Sequence, residues 1–252
     1  MIALTRAVSP AIARCELTHI GREAIDLDLA YAQHARYERA LADAGCAIER
    51  VADGEDLPDG VFVEDGAVVF DEIAIVTRPG AESRRAETPG VVRALAPHRP
   101  LARIEPPATV DGGDVLVVGR RVFVGRSSRT NDAAVTQMRT LLEPRGYTVI
   151  SVPVRGCLHL KSAATALDEG TVLVNRAWLD SDPFTELELV PVAPSEPGAA
   201  NVLRVGGRIV CASAFSETRR LLERRGAHVV PLDMSEFAKA EGAVTCCSLI
   251  LT

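Results

Sequence analysis

The sequence is short of several things that would name a class at once. Its six cysteines (Cys15, Cys46, Cys157, Cys211, Cys246 and Cys247) include no C-x-x-C pair, which speaks against a zinc ribbon. No run reaches the ~20 apolar residues of a membrane span. The opening MIALTRAVSPAIARCEL lacks the continuous apolar core of a signal peptide. A cytoplasmic setting with reduced thiols is therefore expected. The 28 Lys and Arg residues form no basic stripe, and net charge is −6, so neither nucleic acid nor a membrane is an expected partner. That acidity leans weakly toward a cationic ligand. No low-complexity segment or linker divides the chain. With 252 residues, 47% hydrophobic and 25% charged, one domain over 1–252 with a sizeable core is expected.

What is there is a repeated alternation. GAVVFDEIAIVTRP (66–79), GDVLVVGRRVFVGRS (113–127), ALDEGTVLVN (166–175) and NVLRVGGRIVCA (201–212) each read as two apolar strands around a tight turn. Helical periodicity follows over 28–44, 131–143 and 217–225, with Thr130 and Ser216 as candidate caps and Gly45, Gly146 and Gly226 as stops. Short apolar strands come next: AIERV, ARIEP, TVISVPV and HVVPL. The unit is strand, hairpin, strand, helix, strand. IALTRAV at the start and TCCSLILT at the end are both apolar enough to share one unit and close a ring. Residues 180–199, rich in proline, read as a loop-bearing excursion. A doubly wound sheet would also alternate strands and helices, but parallel strands do not need hairpins.

Polar residues recur at strand ends with the same period. Asp65, Asp111, His159, Asn201 and Cys246 are spaced 46, 48, 42 and 45 residues apart. Five units each delivering one residue to a shared centre would explain this. The set includes a thiol, an imidazole and carboxylates, enough for covalent chemistry on a cationic carbon.

Each residue has an ordinary explanation. Free cysteines are mostly small apolar fillers, although in a strand Cys246 and Cys247 would face opposite sides. A lone histidine such as His159 is more often a hydrogen-bonded core residue, and Asp-Gly runs such as DGGD (111–114) are usually turns. Asp59, Glu64 and Asp65 form an acidic cluster in PDGVFVED. Phe62 and Val63 within it suggest burial, where an unpaired carboxylate is costly and a bound guanidinium would offset that cost. Arg78 and Arg129 follow equivalent strands of neighbouring units and could hold a ligand carboxylate.

VFVED (61–65), TRPGAESRR (77–85), DGGDVL (111–116), GRSSRTN (125–131), LHLKS (158–162), AANVL (199–203) and VTCCSLI (244–250) together resemble the dimethylarginine dimethylaminohydrolase family, in the family's order over nearly the whole chain. The resemblance implies the pentein fold, an α/β five-bladed propeller of pseudo-symmetric ββαβ units forming one catalytic domain. It implies hydrolysis of Nω-methylated arginines to citrulline and a methylamine, with Cys246 as nucleophile, His159 as general acid and base, and Asp111 orienting the histidine. Leu17, Asp59, Glu64, Asp65, Arg78, Arg129 and Ala240 fall at substrate-contact positions, Leu17 through its backbone on a loop over the site. Ala240 stands where the family usually has a larger aliphatic. No metal or organic cofactor is implied, although zinc could bind the thiolate and inhibit. A homodimer is admitted but not required. Three rivals stay open: an arginine deiminase-like enzyme, a non-catalytic propeller like translation initiation factor six, and a nucleotide-binding doubly wound domain. The last lacks a Gly-rich strand-to-helix turn, since VGGR (205–208) reads as a hairpin.

Overall fold

The computed structural model describes residues 1–252, and its strands fall into five three-stranded sheets. The first unit holds β1 (Ile2–Thr5), α1 (Leu27–Asp43) and β2 (Ala47–Arg50). The second holds β3 (Ala67–Val69), β4 (Ala74–Val76), α2 (Thr88–Leu95) and β5 (Leu101–Arg103). The third holds β6 (Val115–Val118), β7 (Arg121–Arg126), α3 (Asp132–Leu142) and β8 (Thr148–Pro153). A one-turn helix, α4 (Leu160–Ala163), leads into the fourth, which holds β9 (Ala164–Ala166), β10 (Thr171–Val174) and β11 (Glu188–Pro191). The fifth holds β12 (Val202–Val205), β13 (Arg208–Ala212), α5 (Ser216–Arg224) and β14 (His228–Leu232). Then α6 (Ser235–Ala238) precedes β15 (Leu249–Leu251).

Every sheet repeats one pattern. The inner strand runs antiparallel to the middle one, which pairs in parallel with the outer one. A tight turn permits only the antiparallel pairing, and the parallel one requires a crossover. The third and fifth sheets follow suit, with Val115 opposite Val124 and Val202 opposite Cys211. At Gly206 and Gly207 both turn residues have positive φ (54° and 75°), the geometry that a two-residue hairpin favours and glycine adopts freely. The ring closes as expected, with Ile2 opposite Leu251 and Leu4 opposite Leu249.

The core is not one mass but five clusters, one at each joint between neighbouring units. Leu4 and Val91 meet between the first and second, Ile75 and Met138 between the second and third, and Phe123 and Phe184 between the third and fourth. Leu173 and Ile209 join the fourth to the fifth, and Tyr37 and Val210 join the fifth to the first. A repeating unit that cannot bury its own faces is stabilised by its neighbours.

The crossover of the fourth unit, within the proline-rich 180–199, contains a 3-10 turn (Asp182–Phe184) and no α-helix, in line with the loop-bearing excursion expected there. Two local expectations change. Asn131, not Thr130, caps α3, its Oδ1 accepting from Ala134 N–H at 3.1 Å; the Thr130 hydroxyl is committed to Asp114 at 2.6 Å. Ser216 lies inside α5, whose first amides donate instead to the carboxylate of Glu196, Glu217 N–H and Thr218 N–H each at 2.8 Å.

Candidate active site

The inner strands β3, β6, β9, β12 and β15 are all entered through short turns, and the recurring polar residues sit in those turns. Glu64 and Asp65 lie in the 3-10 turn Val63–Gly66 before β3, and Asp111 precedes the turn Gly112–Asp114 before β6. His159 is the residue before α4, Asn201 follows the turn Pro197–Ala200, and Cys246 lies in a turn over 244–247 before β15. The cysteine pair is thus in a turn, not in a strand. The two still part company: Cys246 lines a cleft and Cys247 is fully buried in the α1 cluster.

That cleft is nearly filled, with only about 10 Å³ of free volume, and is lined by Asp59, Asp65, Arg84, Arg129, His159, Ala240 and Cys246, together with Glu16, Phe62, Leu158, Glu241 and Gly242. The segment carrying Glu16 passes over it. Asp111 sits behind His159, fully buried, with Oδ2 at 3.1 Å from His159 Nε2 and Oδ1 accepting from Gly80 N–H at 2.9 Å. The Nδ1 side of the same ring is 3.9 Å from Asp65 Oδ1. The imidazole therefore stands between two carboxylates.

The two glycines after Asp111 are required by crowding, not by turn geometry. A Cβ on Gly113 would lie 2.5 Å from His159 Nδ1, and one on Gly112 would lie 1.9 Å from the Glu64 carbonyl oxygen. Gly113 N–H also donates to Asp65 Oδ1 at 2.9 Å. DGGD is thus the seat on which the carboxylates and the ring are brought together. Its second acid, Asp114, accepts from Ser127, Thr130 and Leu160 N–H and ties β7 and α4 to this seat.

Protonation follows from these contacts. Burial pushes the Cys246 thiol up to about 12, and the negative charges of Glu64 and Asp65 add to it. Burial alone would lower His159, but Asp65, the hydrogen bond to Asp111 and nearby Asp114 outweigh it and hold the ring at about 9. Burial would raise Asp65, but His159 and Arg84 keep it well below the usual carboxylate range. Burial raises Asp59, with Arg84 opposing. The resting cleft thus holds an imidazolium and a neutral thiol.

The sequence-based candidates divide. Cys246, His159, Asp59, Asp65, Arg129 and Ala240 line the cleft, with Asp111 directly behind. Leu17 lies on the covering segment, between Glu16, whose N–H donates to Asp59, and Thr18, whose N–H donates to Glu241. Glu64 does not line the cleft. Its carboxylate turns toward the propeller axis, paired with Lys161 Nζ at 2.5 Å and accepting from Thr245 Oγ1 at 2.8 Å. Arg78 is also elsewhere: its backbone bridges to Val110, and its Nη1 donates to the Ala108 carbonyl at 3.2 Å.

A second arginine in the wall beside Arg129 is Arg84, which sequence reasoning missed. It is buried, with Nη1 at 2.6 Å from Asp65 Oδ2 and with Nε and Nη2 each donating to the Glu87 carboxylate at 2.9 Å. Arg78 attracts attention because it occupies the same strand phase as Arg129. The overlooked signal is Arg84 three residues before Glu87, the spacing at which two side chains meet on one helical face. Glu241 also went unnoticed, in a stretch with no periodic mark.

Asp65, Asp111 and His159 each place a ligand atom within 4.8 Å of the others, a set that could meet a metal ion. Those atoms are already committed to Arg84, Gly80, Gly113 and one another.

No family model matches the chain. It is 46% identical over 250 residues to an N(G),N(G)-dimethylarginine dimethylaminohydrolase of Streptomyces coelicolor, covering 99% of this chain and 96% of that one. A solved dimethylarginine dimethylaminohydrolase from Pseudomonas aeruginosa, a cysteine-to-serine variant complexed with citrulline, superposes with a TM-score of 0.93 at 32% identity, covering 98% and 97% of the two chains. A second solved enzyme of that name, a histidine-to-glycine variant in an adduct with S-methyl-L-thiocitrulline, superposes with a TM-score of 0.92 at 32% identity, covering 98% of each. Shared sequence and shared architecture, both end to end, lead to one conclusion: the chain belongs to the dimethylarginine dimethylaminohydrolase family.

Proposed function

We propose that this protein hydrolyses Nω-methylated arginines to citrulline and methylamine or dimethylamine through a covalent thiouronium on Cys246. One observation carries the reading: a thiol, an imidazolium and two carboxylates, Asp59 and Asp65, line one covered, nearly closed cleft. The thiol, the imidazole and the acid pair arrive from three separate units of the ring, so the whole of 1–252 acts as one catalytic domain. Citrulline bound to the Pseudomonas relative supports the product.

Asp65 receives the guanidinium, and its ionised state suits that role. The Arg129 Nη1 atom is buried without a hydrogen-bond partner, 3.7 Å from Asp111 Oδ2, and its unused donor capacity suits the substrate carboxylate, while Asp59 takes the α-ammonium. Leu17 and Ala240 border this amino-acid end. Glu64, turned to the axis, supports the site from beneath through its N–H, which donates to the Cys246 carbonyl at 3.1 Å.

Without substrate the Cys246 thiol keeps its proton. The arriving cation favours ionisation, and the proton leaves to solvent. The Cys246 Sγ atom then bonds the central guanidino carbon. The His159 imidazolium donates its proton to the departing amine, and the C–N bond breaks. Now neutral, His159 removes a proton from water, which attacks the thiouronium carbon. Collapse forms the carbonyl and breaks the C–S bond, the hydroxyl proton passes to solvent, and citrulline and the thiolate are released. Acid-base help of this kind is worth ~10²–10⁴-fold, and Asp111 holds the ring for it. These steps call on no cofactor. A reducing, cytoplasmic setting belongs to the reading, since all six thiols are unpaired and one must be free.

The test is citrulline formation by the purified protein on asymmetric dimethylarginine, monomethylarginine and arginine. The methylated substrates should turn over and arginine should lag. Preference for arginine would turn the reading into that of a deiminase, and no citrulline from any of the three would end it.

A further inference from the structure

Several groups hold the segment over the cleft, and most have other duties. Asp59 accepts from Glu16 N–H at 3.1 and 3.2 Å, and Arg129 Nη2 donates to Thr18 Oγ1 at 3.0 Å. Both must turn to the substrate when it binds, so neither can serve as the constant fastening. Glu241 is different. Its Oε2 accepts from Thr18 N–H at 2.7 Å, and its Oε1 accepts from His19 N–H at 2.5 Å and Ile20 N–H at 3.1 Å. Three successive backbone amides thus converge on one carboxylate, an arrangement that suits an anion. Its bonds are charge-assisted. Glu241 also holds φ at 55°, one of only two non-glycine residues at positive φ in the chain. That conformation is disfavoured for a glutamate, and it occurs between Ala240 and Gly242, which both line the cleft.

We propose that Glu241 is a positioning residue that fastens the 16–20 segment over the cleft, independently of ligand, and so governs access to Cys246. Asp59 and Arg129 exchange the segment for substrate groups, and Glu241 keeps it in place while they do. The strained backbone is what aims the carboxylate at the three amides. The proposal rests on the cleft being the reacting site only where turnover is the readout.

The experiment compares Glu241→Ala, Glu241→Gly and Glu241→Gln with the native protein. Iodoacetamide labelling of each cysteine is followed by peptide mass spectrometry, and amide exchange is followed over 16–20. Loss of the carboxylate should speed Cys246 labelling and exchange at 18–20 by ~10-fold or more, as expected when local opening becomes easier. Ala and Gly should act alike, and Gln, keeping one oxygen for two of the amides, should fall between them and native. In turnover the KM for dimethylarginine should rise ~10-fold, with kcat changing much less, as for a loss of binding shared by ground and transition states.

Native behaviour of the Gly variant beside a fast Ala variant would make the backbone conformation the cause and overturn the proposal. Equal acceleration at buried Cys211 would mean general loosening and overturn it too. Native labelling and exchange in all three would likewise overturn it. A native protein inert toward dimethylarginine, with Cys246 labelling still dependent on Glu241, would sink the proposed substrate and leave the fastening standing.

Discussion

The two ends of the propeller axis are built from the same five inner strands and differ in almost everything else. Where the strands begin, turns present Asp65, Asp111, His159 and Cys246 to one cleft. Around the strands themselves, Val69, Val117, Ala166, Leu203 and Ile250 help line a mostly apolar depression of about 320 Å³. The Glu64–Lys161 pair borders that depression, and Glu64 is bonded through Thr245 to the turn that carries Cys246. Five-fold repetition therefore explains a meeting point but not which end reacts. Strand interiors carry apolar side chains because they pack against neighbours, while the entering turns are free to carry charge.

The largest effect expected from breaking this contrast comes from the cysteine pair. Cys246→Ser should lower turnover by roughly 10⁴-fold or more, as loss of a sole nucleophile does. Cys247→Ser, one residue on but packed in the α1 cluster, should keep turnover within about tenfold and cost about 1–3 kcal/mol of stability for a buried hydroxyl. Steady-state assays and urea unfolding of both variants decide the matter. Equal losses of turnover would mean that the turn presents the wrong sulfur.

A smaller effect separates two arginines. Arg84→Ala strips the buried partner from Asp65 and Glu87, and removing one side of a buried pair typically costs about 3–5 kcal/mol. Arg78→Ala removes one half-buried hydrogen bond to a carbonyl, worth about 1 kcal/mol. Urea midpoints should fall in that order, and only Arg84→Ala should raise KM. If Arg78→Ala raised KM as much, the amino-acid end of the substrate would reach beyond the cleft wall.

Much of this was legible in the sequence because period and pattern are local. Hairpin turns, the apolar runs that pair, and the near-45-residue recurrence of Asp65, Asp111, His159 and Cys246 all follow from the repeated unit. What was not legible depends on direction. Glu64 and Asp65 are adjacent, yet one carboxylate turns to Lys161 at the axis and the other to Arg84 at the cleft. No composition rule separates them. Arg84 and Arg78 differ only in which turn of chain folds inward. Glu241 acts on residues more than 220 positions away, which no window of sequence covers.

The finest contrast between the two ends is in their response to pH. At the cleft end a buried imidazole is held at about 9, against an unfolded value near ~6.5. A group whose folded value is raised stabilises fully below the unfolded value, and that stability is lost as pH rises through the folded one. His159 should therefore stabilise the fold at pH 6 and cease to do so by about pH 9. Asp114, raised by burial to about 6, acts in the same sense, destabilising the fold as pH climbs from about 4 to 6. Its window closes before that of the histidine opens. Cysteine ionisation in the unfolded chain adds a loss above about 8.5, but equally in native protein and in His159→Gln. The difference between those two urea midpoints, measured from pH 6 to 9.5, isolates the ring. It should shrink steadily across pH 6.5–9. A difference independent of pH would mean that the imidazole between Asp65 and Asp111 is not protonated at rest, and the amine would then have to leave with a proton from elsewhere.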